Sequence, residues 1–450
     1  MDHPQQKRNT PALLAVTSAS LFAMFFGAGN LVFPPMLGAL SGESFPPAIM
    51  GFLASAVALP VVAVMAVAIT GHDIRDLTAR GGRIFGVLFP VLVYLSIGAF
   101  YALPRTAAVS FSASVPPLTG WDSWFVKAAF SAVFFGVTYL LAFDPHGIVD
   151  KIGRYLTPAL VALMVLLVVL SVLLMRPQPT PPTPEYAEAP FISGFLQGYL
   201  TMDSLAALAL GIIVVASLKH AGVPAGRPLA RGVMAAGSIA GLMLAAVYVG
   251  LAAIGRRLPN AQSHSDGASL LSAAAHHTMG FAGIVVFALI VLFACLTTSV
   301  GLLGATSAFF ARLVPAVSYR RWAIGFSIIS FLVSTLGLDL VIAIAAPVIG
   351  FLYPTAITLI ALTLIEPVLR RRLNLTFVFA LAVSLVWSAL MTLTSLGWGS
   401  AVIDPMITWS PGHAQELGWV VPTLMAAVAG FIVDVVRGER TPEPVRQPET

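Results

Sequence analysis

Charged residues are scarce in this chain. Asp, Glu, Lys and Arg make up 10% of its 450 residues while 58% are hydrophobic, against ~25% charged residues in ordinary soluble domains. A water-soluble fold cannot hide that much apolar surface, so the shortage excludes a soluble globular protein and points to a polytopic membrane protein. Cysteine is nearly missing too. The single Cys295 rules out an intramolecular disulfide and leaves the redox compartment unread. No P-loop, G-x-S-x-G or H-E-x-x-H occurs, and Gly81-Gly82 with Gly86 follow no strand pattern, so nucleotide binding finds no support. His276-His277 and the other histidines lack metal-ligand spacing and read as loop residues. No nucleophile–base constellation is visible, which speaks against an enzyme.

What is abundant is apolar sequence in spanning lengths. Such stretches cover 11–40, 46–70, 84–104, 125–143, 155–175, 191–218, 232–254, 279–311, 322–337, 340–364, 377–396 and 420–436, which predicts an all-α membrane protein of twelve transmembrane helices. The pair 322–337 and 340–364 also reads as one re-entrant unit. With a cytoplasmic N-terminus, Arg105, Lys127, Arg176, Arg256 and Arg257 fall outside and the other nineteen of 24 basic residues inside. That asymmetry explains the net charge of +5 without an anionic partner and places both termini in the cytoplasm. Lys7 and Arg8 before an apolar run resemble a signal peptide, but the run continues into a full span, so no cleavage is expected.

The Pro-rich stretch 176–190, expected outside and extended, divides the spans after the fifth. Five is odd, so a second five-span unit enters from the opposite side. The expected organisation is a tail 1–10, a first repeat 11–175, an inverted second repeat 191–366, two further helices within 377–436, and a tail 437–450.

The first span is broken. In SLFAMFFGAGNLVFPPMLGAL (20–40), Gly27, Gly29, Asn30 and Pro34-Pro35 oppose a continuous helix. Within a bilayer such an interruption survives only where it is buried or lines a polar cavity. The half-helix ending near Phe26 offers carbonyls that suit a small cation. The one starting after Asn30 offers N–H groups that suit a carboxylate. A zwitterion with a co-bound cation fits both, whereas close helix packing by the glycines alone needs neither Asn30 nor the proline pair. The sixth span, FISGFLQGYLTMDSLAALALG, carries the matching interruption, with Tyr199 and Thr201 beside Asp203. Asp203 reads as the only charge deep inside a span, Lys127 lying at a span's edge. It can ligate a cation, face an ammonium, carry a proton, or cap the second half of a broken helix. Span eight presents Ala294, Thr297, Thr298 and Gly301 on one small, weakly polar face. Its two hydroxyls either complete an oxygen cage for sodium or bond back to their own helix. Arg105 reads as the outer end of span three, a gate charge or an interfacial anchor.

FFGAGNLVFPP (25–35), PRTAAVSF (104–111), GYLTMDSLAALALG (198–211) and ACLTTSVGL (294–302) resemble the bacterial branched-chain amino acid:cation symporters, the system II carriers. The resemblance runs from about residue 10 to 435. It implies sodium-driven uptake of leucine, isoleucine and valine across the bacterial cytoplasmic (inner) membrane, with no enzyme activity. No nucleic acid and no obligate protein partner enter this reading; the bilayer does. One departure is Ser112, where an acidic residue is expected after PRTAAVSF. A remoter likeness, Gly27-Ala28-Gly29-Asn30 before Phe33-Pro34, reaches the sodium-coupled neurotransmitter symporters and their leucine-transporter fold, a 5+5 inverted repeat. That likeness implies a sodium held by carbonyls of Ala23 and Phe26 together with Ala294, Thr297 and Thr298. It puts Asn30 and the Phe25 carbonyl near a second cation position, and the N–H groups of Ala28 and Gly29 on the substrate carboxylate. Tyr199, Thr201 and Asp203 complete the expected substrate site. A proton-coupled amino acid or amine transporter with Asp203 as proton carrier is the alternative, and a channel a more distant one.

Overall fold

The structure, a computed structural model, describes residues 10–70, 74–142, 148–220, 222–224 and 226–437; the side chains of 10–12, 20, 23, 24, 148–160, 210, 212, 213, 216, 217, 220 and 227 lie outside the description. Nearly all of the two expected tails falls outside the described residues. Up to residue 174 the chain forms α1 (Thr10–Phe25), α2 (Ala28–Ser41), α3 (Phe45–Leu53), α4 (Leu59–Thr70), α5 (Ile74–Ala79), α6 (Phe85–Leu95), α7 (Ala102–Thr119), α8 (Trp124–Ala142) and α9 (Ile148–Leu174). Then follow α10 (Pro184–Glu188), α11 (Pro190–Tyr199), α12 (Asp203–His220), α13 (Arg227–Gly255), α14 (Gly267–Leu313), α15 (Tyr319–Ser334) and α16 (Leu338–Leu369). The chain closes with α17 (Asn374–Ser395), α18 (Ser400–Ile407) and α19 (Val420–Arg437).

Eight helices among the described residues are long and apolar enough to cross a membrane. The number falls below the twelve expected stretches because breaks divide two of them, because α15 has only 16 residues, and because only the Val161–Leu174 part of α9 is counted. The first stretch splits at Phe26-Gly27 into α1 and α2, and the sixth splits at 200–202 into α11 and α12. The halves pair crosswise: α1 packs on α12 and α2 on α11. First half against second half means that the two broken segments run in opposite directions, with their interruptions at one level.

Three expectations are corrected. Span three does not end at residue 104: α6 continues through a π-turn at Ser96–Phe100 into α7, a single kinked element that reaches Thr119. Arg105 therefore stands inside it, 4% exposed, and Asp203 is not the only deep charge. The polar residues of α7 hide themselves, Thr106 and Ser110 donating to the carbonyls of Leu103 and Thr106 at 2.6 and 2.8 Å. His276 and His277 are not loop residues. They are exposed on the first part of α14, a helix from Gly267 to a break at Gly280 (φ 65°, ψ −154°) that the hydropathy reading left in a loop. The Pro-rich stretch 176–190 is not extended throughout, since α10 lies within it.

Close helix contacts bring the broken segments to their neighbours. A Cβ on Gly51 of α3 would strike the Phe191 carbonyl of α11, and one on Gly194 of α11 would strike the Ala48 carbonyl of α3. The pair Gly38 and Gly255 does the same for α2 and α13. Hydroxyls near the π-turns reach carbonyls of neighbouring helices: Ser55, in the π-turn Ala54–Ala58, donates to the Phe195 carbonyl at 2.6 Å, and Ser330 to the Ala99 carbonyl of the π-turn Ser96–Phe100 at 3.3 Å.

One ion pair ties α5 to α16. Arg80 grips Glu366 with both terminal nitrogens, the Nη2–Oε1 contact being 2.6 Å, and lies 3.9 Å over the Phe377 ring. Glu366 also accepts the Leu373 N–H at 3.0 Å. Glu366→Ala strands a part-buried guanidinium and is expected to cost about 1–2 kcal/mol, after allowance for solvent at the pair. Labelling of Cys295, which is the sole cysteine and fully buried, reads this directly: its thiol should react at a lower temperature in the variant than in the native protein.

Candidate functional site

The two breaks meet around a cavity of about 40 Å³ lined by Phe25, Ala28, Asn30, Thr201, Asp203 and Thr298 among others. These six were all singled out from sequence. Gly29 borders the site through its contact with Arg105, described below. Tyr199 does not line this cavity. It stacks on Tyr353 at 4.2 Å and faces a separate pocket of about 550 Å³ with Gln197 and Glu416.

At the first break, Gly27 is extended and the Asn30 side chain turns back, Oδ1 accepting the Gly27 N–H at 3.3 Å. This covers one of the donors that a helix start leaves over. The Asn30 amide then reaches the second break: its Nδ2 donates to Asp203 Oδ2 at 3.0 Å and to the hydroxyl of Tyr248. Tyr248 donates to the same Asp203 oxygen at 3.0 Å. Asn30, Asp203 and Tyr248 thus close a triangle among α2, α12 and α13, all three side chains being at most 4% exposed. Both contacts fall on Asp203 Oδ2 and run to other helices, not to the N–H groups that begin α12. The Asp203 N–H instead points to Thr201 Oγ1 at 3.4 Å. Met202, between them, holds φ at 65°, a left-handed conformation unusual for a bulky residue. Sequence reasoning missed Tyr248. Its signal was available: a tyrosine inside a span, short of the ends where tyrosine usually sits.

Arg105 was the larger omission. Its Nη1 donates to the Leu200 carbonyl at 2.6 Å and to the Tyr101 hydroxyl at 2.7 Å, and its Nη2 to the Thr201 carbonyl at 3.2 Å. Those carbonyls close α11, where the helix dipole favours a cation. A Cβ on Gly29 would touch the guanidinium at 2.5–2.8 Å, so only glycine lets it lie this close to α2. Among the described residues, Arg105 and Asp203 are the only charged ones that line the cavity.

On α14, Thr297 and Thr298 both donate to the Ala294 carbonyl, at 2.9 and 3.0 Å. The back-bonding uses their protons and leaves oxygen lone pairs to accept. Thr298 abuts the first break, with its Cγ2 and Oγ1 within 3.1 and 3.4 Å of a Cβ built on Gly27. Phe26 is buried and stacks on Phe22 at 5.2 Å. Ala23 lies in α1, whose last turn leaves carbonyls without helical donors. Ser112, where an acidic residue was expected, donates at 2.8 Å to Asp266. Asp266 also caps α14, accepting from the N–H groups of Ala268 and Ser269 at 2.8 and 2.9 Å. The acid near position 112 comes from another helix.

Membrane-length helices around two crossed breaks, with opposite charges buried between them, define a membrane transporter. The backbone agrees. It matches the closed, bromovinylhydantoin-bound structure of Mhp1, a nucleobase-cation-symport-1 family transporter, with a TM-score of 0.59 at 17% identity over 92% of this chain and 90% of that one. MhsT in complex with L-phenylalanine matches with a TM-score of 0.52 at 18% identity over 93% and 97%. Both are transporters of the leucine-transporter fold. The chain belongs to the branched-chain amino acid transport protein family, which matches residues 11–437. It is 49% identical to the branched-chain amino acid permease BrnQ of Corynebacterium glutamicum, over 93% of this chain and 94% of that protein. It is 37% identical to the branched-chain amino acid transport system 2 carrier protein of Pseudomonas aeruginosa, over 93% and 95%. These relatives are named permease and carrier, not enzyme.

Proposed function

We propose that this protein is a sodium-coupled symporter that carries leucine, isoleucine and valine into the cell by alternating access. The observation that carries the proposal is the meeting of the two helix breaks through Asn30, Asp203 and Tyr248. In this reading the ammonium of the amino acid faces Asp203 and Thr201, and its carboxylate faces the N–H groups of Ala28 and Gly29. Phe25, Ile97, Ala206 and Leu302 of the cavity wall surround the branched chain, and Tyr199 closes the site toward the outer pocket. Sodium sits between the carbonyls of Ala23, in the last turn of α1, and Phe26, just after it, and Ala294, Thr297 and Thr298 of α14. The oxygen donors suit a hard monovalent cation, and the contact of Thr298 with Gly27 supports the placement.

A cavity of about 40 Å³ has room for only a few waters, so the site must widen to admit an amino acid. That requirement fits a cycle in which one side opens at a time. Sodium at the first break orders α1 and α2 and so prepares the N–H groups that receive the carboxylate. The ion gradient then drives accumulation without covalent chemistry. The proposed frame is twelve spans, with five-helix units at 11–175 and 191–366 in inverted orientation, two added helices within 377–436, and both termini on the cytoplasmic side of a bacterial inner membrane.

Counterflow tests the substrate. Proteoliposomes loaded with unlabelled leucine should take up labelled leucine, and isoleucine and valine outside should compete while lysine and aspartate do not. Absence of leucine counterflow, or equal competition by lysine, would contradict the assignment.

A further inference from the structure

We infer that Arg105 receives the substrate's α-carboxylate through its Nε and Nη2 edge and so makes the site selective for amino acids over amines and amides. The inference rests on the amino acid site proposed above and adds a residue to it.

A guanidinium carries five N–H groups. Three are spent: two on Nη1, toward Tyr101 and Leu200, and one on Nη2, toward Thr201. The Nε–H has no partner although Arg105 is 4% exposed, and one Nη2–H is left over. Nε and Nη2 share one edge of the planar fork, the edge that grips a carboxylate with two parallel hydrogen bonds. Leaving a buried donor unmade is costly, and Arg105 lines the cavity, where a bound carboxylate would satisfy it.

The electrostatics point the same way. Arg105 serves the carbonyl end of α11 well, but it also lies against Gly29 in the first turn of α2. A cation at a helix N-terminus faces the positive end of the dipole. An anion between the two removes the conflict, because the guanidinium and the N–H groups of Ala28 and Gly29 then converge on one carboxylate. A wholly structural arginine would need only its terminal nitrogens. With Asp203 taking the ammonium, the pair presents one charge of each sign to a zwitterion.

Binding to the purified, full-length protein in saturating sodium chloride tests the inference, with labelled leucine as ligand and leucinamide, which keeps the ammonium and the branched chain, as competitor. Native protein should prefer leucine by roughly 100-fold, the worth of two charge-assisted hydrogen bonds. Arg105→Gln should lower leucine affinity to the leucinamide level and leave leucinamide within about threefold, and Arg105→Lys, which keeps the charge but loses the fork, should fall between. A folded Arg105→Gln variant that keeps the native preference overturns the inference. Should that variant not fold, Gly29→Ala decides, since its methyl displaces the guanidinium without removing it. A collapsed leucine-to-leucinamide ratio there supports the inference, and an unchanged ratio overturns it. Native protein that binds no leucine at all sinks the parent reading and this inference together, and is told apart by needing no variant.

Discussion

Asparagine in place of Asp203 is expected to abolish both concentrative leucine uptake and leucine counterflow while leaving the fold intact. The side-chain oxygen of asparagine can still accept from Tyr248 and Asn30, whose donor atoms lie 3.0 Å from the carboxylate, so the triangle between α2, α12 and α13 survives. The counter-charge does not. Removing one partner of a buried charge pair costs about 2–5 kcal/mol, roughly 30-fold in affinity at the low end and several thousand-fold at the high end. Counterflow separates this role from proton carriage. A transporter that has lost only its proton carrier still exchanges substrate across the membrane, whereas one that has lost the partner of the ammonium binds too weakly to exchange. Retained counterflow with lost accumulation would therefore reassign Asp203 to the proton.

The second large effect is expected at Thr298. Thr298→Ala should raise the sodium concentration needed for half-maximal uptake by about 10- to 100-fold, the worth of one hydrogen-bonding or liganding oxygen at a charged partner. Leucine affinity at saturating sodium should change less, because Thr298, although it borders the cavity, is assigned to neither charged end of the amino acid. Thr298→Ser keeps the oxygen and loses the methyl that packs on Gly27, so it should retain most of the sodium response. Equal loss in the serine and alanine variants would mean that Thr298 matters for packing and not for the ion.

The interruptions were legible in the chain because helix-breaking residues in apolar sequence conflict locally, and GAGN and LTMD show the conflict without any neighbour. Asn30 and Thr201 could be picked out beside those breaks, Asp203 as a charge within a span, and Thr298 on the small, weakly polar face of span eight. Their contacts could not. The bond from Asn30 to Asp203 spans 173 residues of sequence and exists only once the two breaks cross. Arg105 was misread because a proline and a cation after an apolar run have the usual form of a helix end. Its solvation comes from carbonyls some 95 residues away, which no local pattern reveals. The helix 267–279 was lost for a different reason. Asp266 before Gly267-Ala268-Ser269 is an N-cap signal, but the run behind it is too short to register as a span. Ser112 shows the same limit: the acid expected there is present in space, as Asp266, and absent in sequence.

The measurement that bears most directly on this account is uptake of labelled leucine into proteoliposomes of the native protein under an imposed sodium gradient and, separately, an imposed pH gradient. Accumulation driven by sodium and not by pH is the predicted result. Accumulation driven by pH alone, with sodium without effect, would contradict the coupling proposed at Thr298 and leave Asp203 as the proton site.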